Sequence, residues 1–170
     1  MKRLLVVVDM QNDFLTGSLA NAEAERVLKN VKAKLKRARE EGVEIVFTRD
    51  THFENYLSTQ EGKNLPVTHC VKDTWGWQIA DGLYAGERVF DKPVFGSVEL
   101  AEYVKQGKYE TVEMTGVCTD ICVVSNALLV KAYCPETAVT VDASCCAGVT
   151  KESHEAALKT MSACQIKVEE

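Results

Sequence analysis

Residues 115–130 read TGVCTDICVVSNALLV, an apolar strand-like run that passes through a short polar turn into an apolar helix, with Cys118 and Cys122 at the junction. A strand handing directly to a helix is half of a βαβ unit, in which a parallel strand must return by a right-handed crossover. The same alternation extends both ways. Leu4 to Val8 is a continuous apolar β-rich run, as expected of a strand covered on both faces. Val43 to Thr48, Arg88 to Phe90 and Ala138 to Val141 repeat that pattern, and Gln165 to Val168 does so more weakly.

Helical periods lie between them. Ala22 to Glu41 carries Val27, Leu28, Val31, Leu35 and Ala38 on one face and stops at Gly42. Ser97 to Gln106, Ile121 to Ala132 and Lys151 to Ala163 follow, the last with Thr150 as its N-cap. The expected fold is α/β and three-layered, an open parallel sheet of about six strands with helices on both faces. Residues 1–170 suffice for one domain with a real core, and no linker or repeat divides them.

Composition narrows the function. A net charge of −5, with basic residues interleaved among Glu, argues against nucleic acid and leaves a small molecule as the default partner. The opening MKRLLVVV resembles an export signal, but Asp9 interrupts it and no later run approaches membrane length. A cytoplasmic protein without a membrane partner is expected. Seven cysteines, an odd and irregularly spaced set, fit a reducing compartment. The segment from Ile121 is apolar nearly all round, so it is either central or meets another subunit; a homo-oligomer is expected.

Open parallel sheets bind ligands beyond the carboxyl ends of their strands. Asp9 follows the first strand, Asp50 and His52 the second, Asp91 and Lys92 the third, and Cys118, Asp120 and Cys122 the fourth. In the first turn of a helix from Ile121, Cys122 would lie where free amides favour a thiolate; Lys92 would lower its pKa further and Asp9 would accept its proton. This is the arrangement of covalent catalysis. Cys118 reads as an inward-turned small side chain. A thiol redox or metal-binding protein using Cys118 and Cys122 is the alternative from another class.

The segments VVVDMQNDF, TRDTH, EGKNLPVTHC, DKPVFGS and GVCTDICV stand in that order along nearly the whole chain. Together they resemble the isochorismatase-like cysteine hydrolases, whose best-known members are nicotinamidases of NAD metabolism. The resemblance implies a triad on Asp9, Lys92 and Cys122, a cis peptide before Cys118, and an oxyanion hole from the amides of Cys118 and Cys122. It also gives the long polar stretch from Asp50 to Asp73 a purpose. Asp50, His52 and His69 would hold Zn²⁺ or a related divalent ion, with Glu61 reaching it directly or through water. Phe14 would wall the substrate pocket, while Trp75, Trp77 and Phe95 read equally as pocket or packing.

The implied reaction is hydrolysis of nicotinamide or another carboxamide through a thioester. Relatives that act on carbamoyl or ureido compounds supply the alternative, and the bulky Trp75 and Trp77 in HCVKDTWGW predict a pocket unlike that of typical nicotinamidases. His154 reads as a surface residue.

Overall fold

A computed structural model describes all 170 residues. Six parallel strands, β1 (Arg3–Val8), β2 (Glu44–Asp50), β3 (Arg88–Lys92), β4 (Thr111–Val117), β5 (Ala138–Ala147) and β6 (Lys167–Glu169), form one open sheet in the order β3-β2-β1-β4-β5-β6. Alternation along β1 explains its central place. Leu4, Val6 and Val8 enter one core and Leu5 and Val7 the other, all of them buried.

The helices divide accordingly. A single turn α1 (Asn12–Leu15) and α2 (Ala24–Glu40) supply the second core, through Leu15, Val27, Val31 and Leu35. Each fully buried aliphatic of this kind contributes about 1.5–3 kcal/mol relative to exposure. Gly42, at φ 65°, ends α2 in the left-handed conformation that glycine adopts without strain. A short α3 (Gln60–Asn64) lies in the polar loop. On the other face, α4 (Val98–Gly107), α5 (Val124–Tyr133) and α6 (Lys151–Ala163) pack Leu100, Val104, Ala127, Val130 and Met161 against the sheet.

Several sequence boundaries move for identifiable reasons. β5 runs on to Ala147 because Lys34, at 2.6 Å, and Ser144 satisfy the carboxylate of Asp142, which breaks the apolar pattern. β6 begins at Lys167 since Gln165 takes φ 65°, outside strand geometry. The expected helix from Ile121 is two pieces, a π-helical turn (Thr119–Val123) followed by α5. The loop after Asp50 is also more ordered than its composition indicates: a 3₁₀ turn covers Tyr56–Ser58, and Thr59 Oγ1 caps α3 by accepting from the Gly62 amide at 3.0 Å.

The strand order reverses direction between β1 and β4, which opens a crevice at their carboxyl ends. β4 comes very near β1 there: a Cβ on Gly116, at φ 115°, would stand 2.1 Å from the Val8 carbonyl oxygen. Asp9 and the residues after Val117 therefore leave the sheet side by side.

Candidate active site

Four segments deliver polar side chains to that crevice. Asp9 follows β1, at φ 47°, and its carboxylate accepts from Thr48 Oγ1 at 2.7 Å. Asp50 and Lys92 end β2 and β3 and are register partners, so their side chains emerge together. Cys122 comes from the π-helical turn after β4. Lys92 Nζ lies 2.6 Å from Asp9 Oδ2, 3.3 Å from Cys122 Sγ and 3.5 Å from Asp50 Oδ1. All four residues are at most 5% exposed, which removes the solvent screening that weakens surface pairs. The carboxylate, ammonium and thiol expected from sequence do meet. The expected Val117–Cys118 cis peptide is present as well.

The electrostatics set burial against the Lys92 charge. Burial pushes the Cys122 thiol well above its ordinary pKa and Asp9 pushes it further, while Lys92 pulls it back. Burial likewise raises Asp9 against the pull of Lys92, and the neighbouring Asp50 adds to the rise. Lys92 is opposed by burial, yet Asp9, Cys122 and Asp50 hold its pKa above the ordinary lysine value. Thiol and carboxylate are thus both raised beside a fixed ammonium, and their titration belongs to the pair. Cys122 sits in the π-helical turn that runs directly into α5, near the N-terminal end of that helical segment.

A second cluster adjoins the first. Asp50, His52, Glu61 and His69 each present one donor atom, all within 4.8 Å of one another. His52 Nε2 lies 2.9 Å from Asp50 Oδ2 and 3.5 Å from Glu61 Oε1; His69 Nε2 lies 3.4 and 3.8 Å from the same two oxygens. The other ring nitrogen of His69, Nδ1, donates to the Val67 carbonyl at 2.7 Å, which turns Nε2 toward Asp50 and Glu61. Burial would raise Asp50, but hydrogen bonds from His52 and His69 outweigh it and hold the carboxylate well below the usual range. Two imidazoles and two carboxylates, three of the four buried, suit Zn²⁺ or a related divalent ion. Tyr56 packs its ring on both imidazoles, with centroids 4.6 and 5.0 Å away.

Two supports escaped the sequence reading. Gln11 Nε2 donates to the Asp50 and Trp77 carbonyls at 2.8 and 2.9 Å, and its Oε1 accepts from the Asp50 amide at 2.7 Å. Asn126 donates to the Cys122 carbonyl at 2.8 Å and accepts from Ser97 N at 2.9 Å. Buried amides read from sequence as unremarkable polar residues; only the ends of several segments brought together reveal their work.

Among the aromatic residues, Phe14 is buried with its ring 5.6 Å from that of His69, beside the crevice as expected. Trp77 turns aside: its Nε1 donates to Thr51 Oγ1 at 2.9 Å and the Arg49 guanidinium covers its ring at 3.4 Å. Trp75 is 59% exposed and Phe95 40%. Trp77 therefore packs against the end of β2, while Trp75 and Phe95 face solvent. Cys118 is partly buried, and its thiol is pushed up to about 12 by burial and by Asp120. His154 is not the free surface residue expected: its Nδ1 lies 2.7 Å from Thr119 Oγ1. Asp91 points away from the crevice to pair with Arg49 at 2.7 Å.

A family model described as the isochorismatase domain matches residues 3–170. The chain belongs to the isochorismatase family. Among relatives of this isochorismatase-family chain, the nicotinamidase of Saccharomyces cerevisiae is 26% identical over 82% of the chain and 86% of its own length. The nicotinamidase/pyrazinamidase of Mycobacterium tuberculosis is 27% identical over 98% and 97%. The crystal structure of a pyrazinamidase of Pyrococcus horikoshii in complex with zinc superposes with a TM-score of 0.87 at 29% identity, covering 99% of this chain and 98% of that one. The family and its nicotinamidase-related branch agree with the resemblance of the five motifs.

Proposed function

We propose that the chain is a cysteine-dependent hydrolase of a small aromatic carboxamide, nicotinamide first, acting through a thioester as one catalytic domain. The observation that carries this reading is the buried contact of Lys92 with both Asp9 and Cys122, at 2.6 and 3.3 Å. Asp9 takes the thiol proton and Cys122 Sγ attacks the carboxamide carbon, while Lys92 balances whichever of the two bears the negative charge. The backbone amides of Cys118 and Cys122 receive the oxyanion, and the N–H of Cys118 is free to do so because it donates to no protein acceptor. Asp9 then returns the proton to the departing ammonia and directs water onto the thioester.

Asp50, His52, His69 and Glu61 would hold the divalent ion, which we take to be Zn²⁺. When bound, such an ion supplies a Lewis-acid contact to a ring nitrogen or to water. Phe14, beside His69, would stack or edge the ring of the substrate. The homo-oligomer and the cytoplasmic location belong to the same proposal. Ile121, Val124, Leu128 and Leu129 remain half-buried, so the apolar helix is not fully used within one chain, and no helix is long and apolar enough to cross a membrane.

Ammonia release from a panel of nicotinamide, pyrazinamide, benzamide, carbamoyl and ureido compounds tests the reading. Nicotinamide should give the highest kcat/KM. Preference for a ureido or carbamoyl compound would move the substrate within the family. No ammonia from any member of the panel would end the hydrolase reading.

A further inference from the structure

We propose that His154 is a positioning residue for the oxyanion hole, acting through Thr119; this rests on the hydrolase reading above. Thr119 directly follows Cys118 and opens the π-helical turn that carries Cys122. Its side chain is fully buried, and its hydroxyl meets the protein through the His154 ring nitrogen at 2.7 Å. A buried hydroxyl with a single specific partner has its orientation set by that partner.

His154 is itself fixed from several directions. It lies in the first turn of α6, where its amide donates to the Thr150 carbonyl at 3.0 Å, and Thr150 and Ser153 form a reciprocal capping box. Gly148 passes so near that an added Cβ would come within 2.9 Å of the His154 Cα. One residue further along, the Asp120 carboxylate accepts from the Val149 amide at 3.1 Å. The corner between β5 and α6 therefore grips two successive residues of the turn, Thr119 and Asp120. From the far side, Asn126 grips the Cys122 carbonyl at 2.8 Å.

Arg26, Glu23, Asp120 and Glu155 are the charged groups that bear on the ring. Burial and Arg26 hold its pKa below the ordinary value, so the imidazole is neutral near pH 7 and Nδ1 can accept the Thr119 proton. The ring makes no hydrogen bond or ion pair with Asp9, Lys92 or Cys122, so its effect should fall on the amides that receive the oxyanion and not on the thiol. Misplacing such groups by an ångström costs about 10²-fold in rate.

Two readouts on Cys122 separate these effects. Iodoacetamide alkylation reports the nucleophile. Protection from alkylation by pyridine-3-carbaldehyde reports the hole: the sulfur–carbon bond forms as the C=O π pair moves onto oxygen, and the thiol proton passes to Asp9. No other reactant is needed. His154→Leu should leave the alkylation rate and its pH profile unchanged, weaken aldehyde protection about 10-fold or more, and lower kcat about 10- to 100-fold with KM nearly constant. His154→Asn, which keeps a polar atom near the Nδ1 position, should recover most of both losses.

Equal protection in wild type and His154→Leu would overturn the inference alone. A parallel fall in alkylation and protection would also overturn it, since that is the signature of a general structural role. Absence of protection in the wild type would overturn the oxyanion hole and, with it, this inference. Should His154→Leu fail to fold, Thr119→Val removes the same hydrogen bond from its other end; unaltered protection in that variant would decide against the proposal.

Discussion

Lys92 Nζ and Asp50 Oδ1 lie 3.5 Å apart at the ends of adjacent strands, so one carboxylate faces both the Lys92 ammonium and the His52–His69 cluster. Its charge raises the pKa of Asp9 and of Cys122. A dication held by Asp50 would offset that charge, so chelation should be felt at the sulfur as well as in substrate binding. Chelated but folded protein is expected to alkylate at Cys122 roughly fivefold more slowly at fixed pH, the scale of about 1 kcal/mol of partly screened charge interaction. Equal alkylation rates with and without the ion would show that the two clusters are electrostatically independent.

The two cysteines of the turn should behave differently. Cys122→Ala removes the proposed attacking atom from a buried contact with Lys92, so turnover should fall by about 10⁴-fold or more with the fold retained. Cys118→Ala removes only a side chain whose thiol is pushed up to about 12, and kcat should stay within about threefold of wild type. Comparable loss in both variants, each shown folded by circular dichroism, would contradict a single nucleophile. A reversible Cys118–Cys122 disulfide would instead favour the redox alternative.

Asp9, Asp50, Lys92 and Cys122 were legible as a group because a parallel sheet gathers the residues at its strand ends, whereas Glu61 and His69, in the long loop between β2 and β3, entered only through the resemblance of the five motifs. Asp9, Asp50 and Lys92 each stand within one residue of a strand terminus, and strand runs such as Leu4 to Val8 are unambiguous. What stayed hidden depends on partners distant in sequence. The work of Gln11 appears only when the segment around Trp77 folds back beside β2, and that of His154 only when α6 docks against the turn. The extension of β5 through Asp142 depends on Lys34 from a helix more than a hundred residues earlier. The burial that raises the Cys122 thiol was not legible either, because residue spacing reports neighbours but not burial.

Away from the crevice, Lys34 bridges Asp142 at 2.6 Å and also contacts Glu113, with side chains of the first pair at 15% and 12% exposure. Burial would raise Asp142, but Lys34 and Ser144 hold it below the ordinary carboxyl value. A depressed folded pKa contributes stability that is complete above the unfolded value, near 3.9, and fades as pH falls through the folded one. Asp142→Asn should therefore cost about 1–2 kcal/mol in urea unfolding at pH 7. The gap should close only below about pH 4. A gap that persisted unchanged into acid would locate the loss in packing and not in the charge.

Lys92 is the residue whose replacement separates a triad from a dyad. It is 1% exposed, and its ammonium is the one positive charge in contact with both Asp9 and Cys122. In Lys92→Met the methionine fills similar volume, but Asp9 and Cys122 lose the cation that stabilises their ionised forms. Asp9 should then rest protonated, and Cys122, already raised by burial, should ionise only at still higher pH. The apparent pKa for alkylation is expected to rise by about 1 to 3 pH units, the usual reach of a contacting opposite charge. Because the two acids titrate together, that value belongs to the pair and not to sulfur alone. At pH 7 the variant should alkylate at least about tenfold more slowly and lose turnover in the same proportion. Following alkylation across pH in wild type and Lys92→Met, with folding checked by thermal melting, measures both curves. Superimposable curves would reduce Lys92 to a structural counter-ion and leave Asp9 and Cys122 as the working dyad.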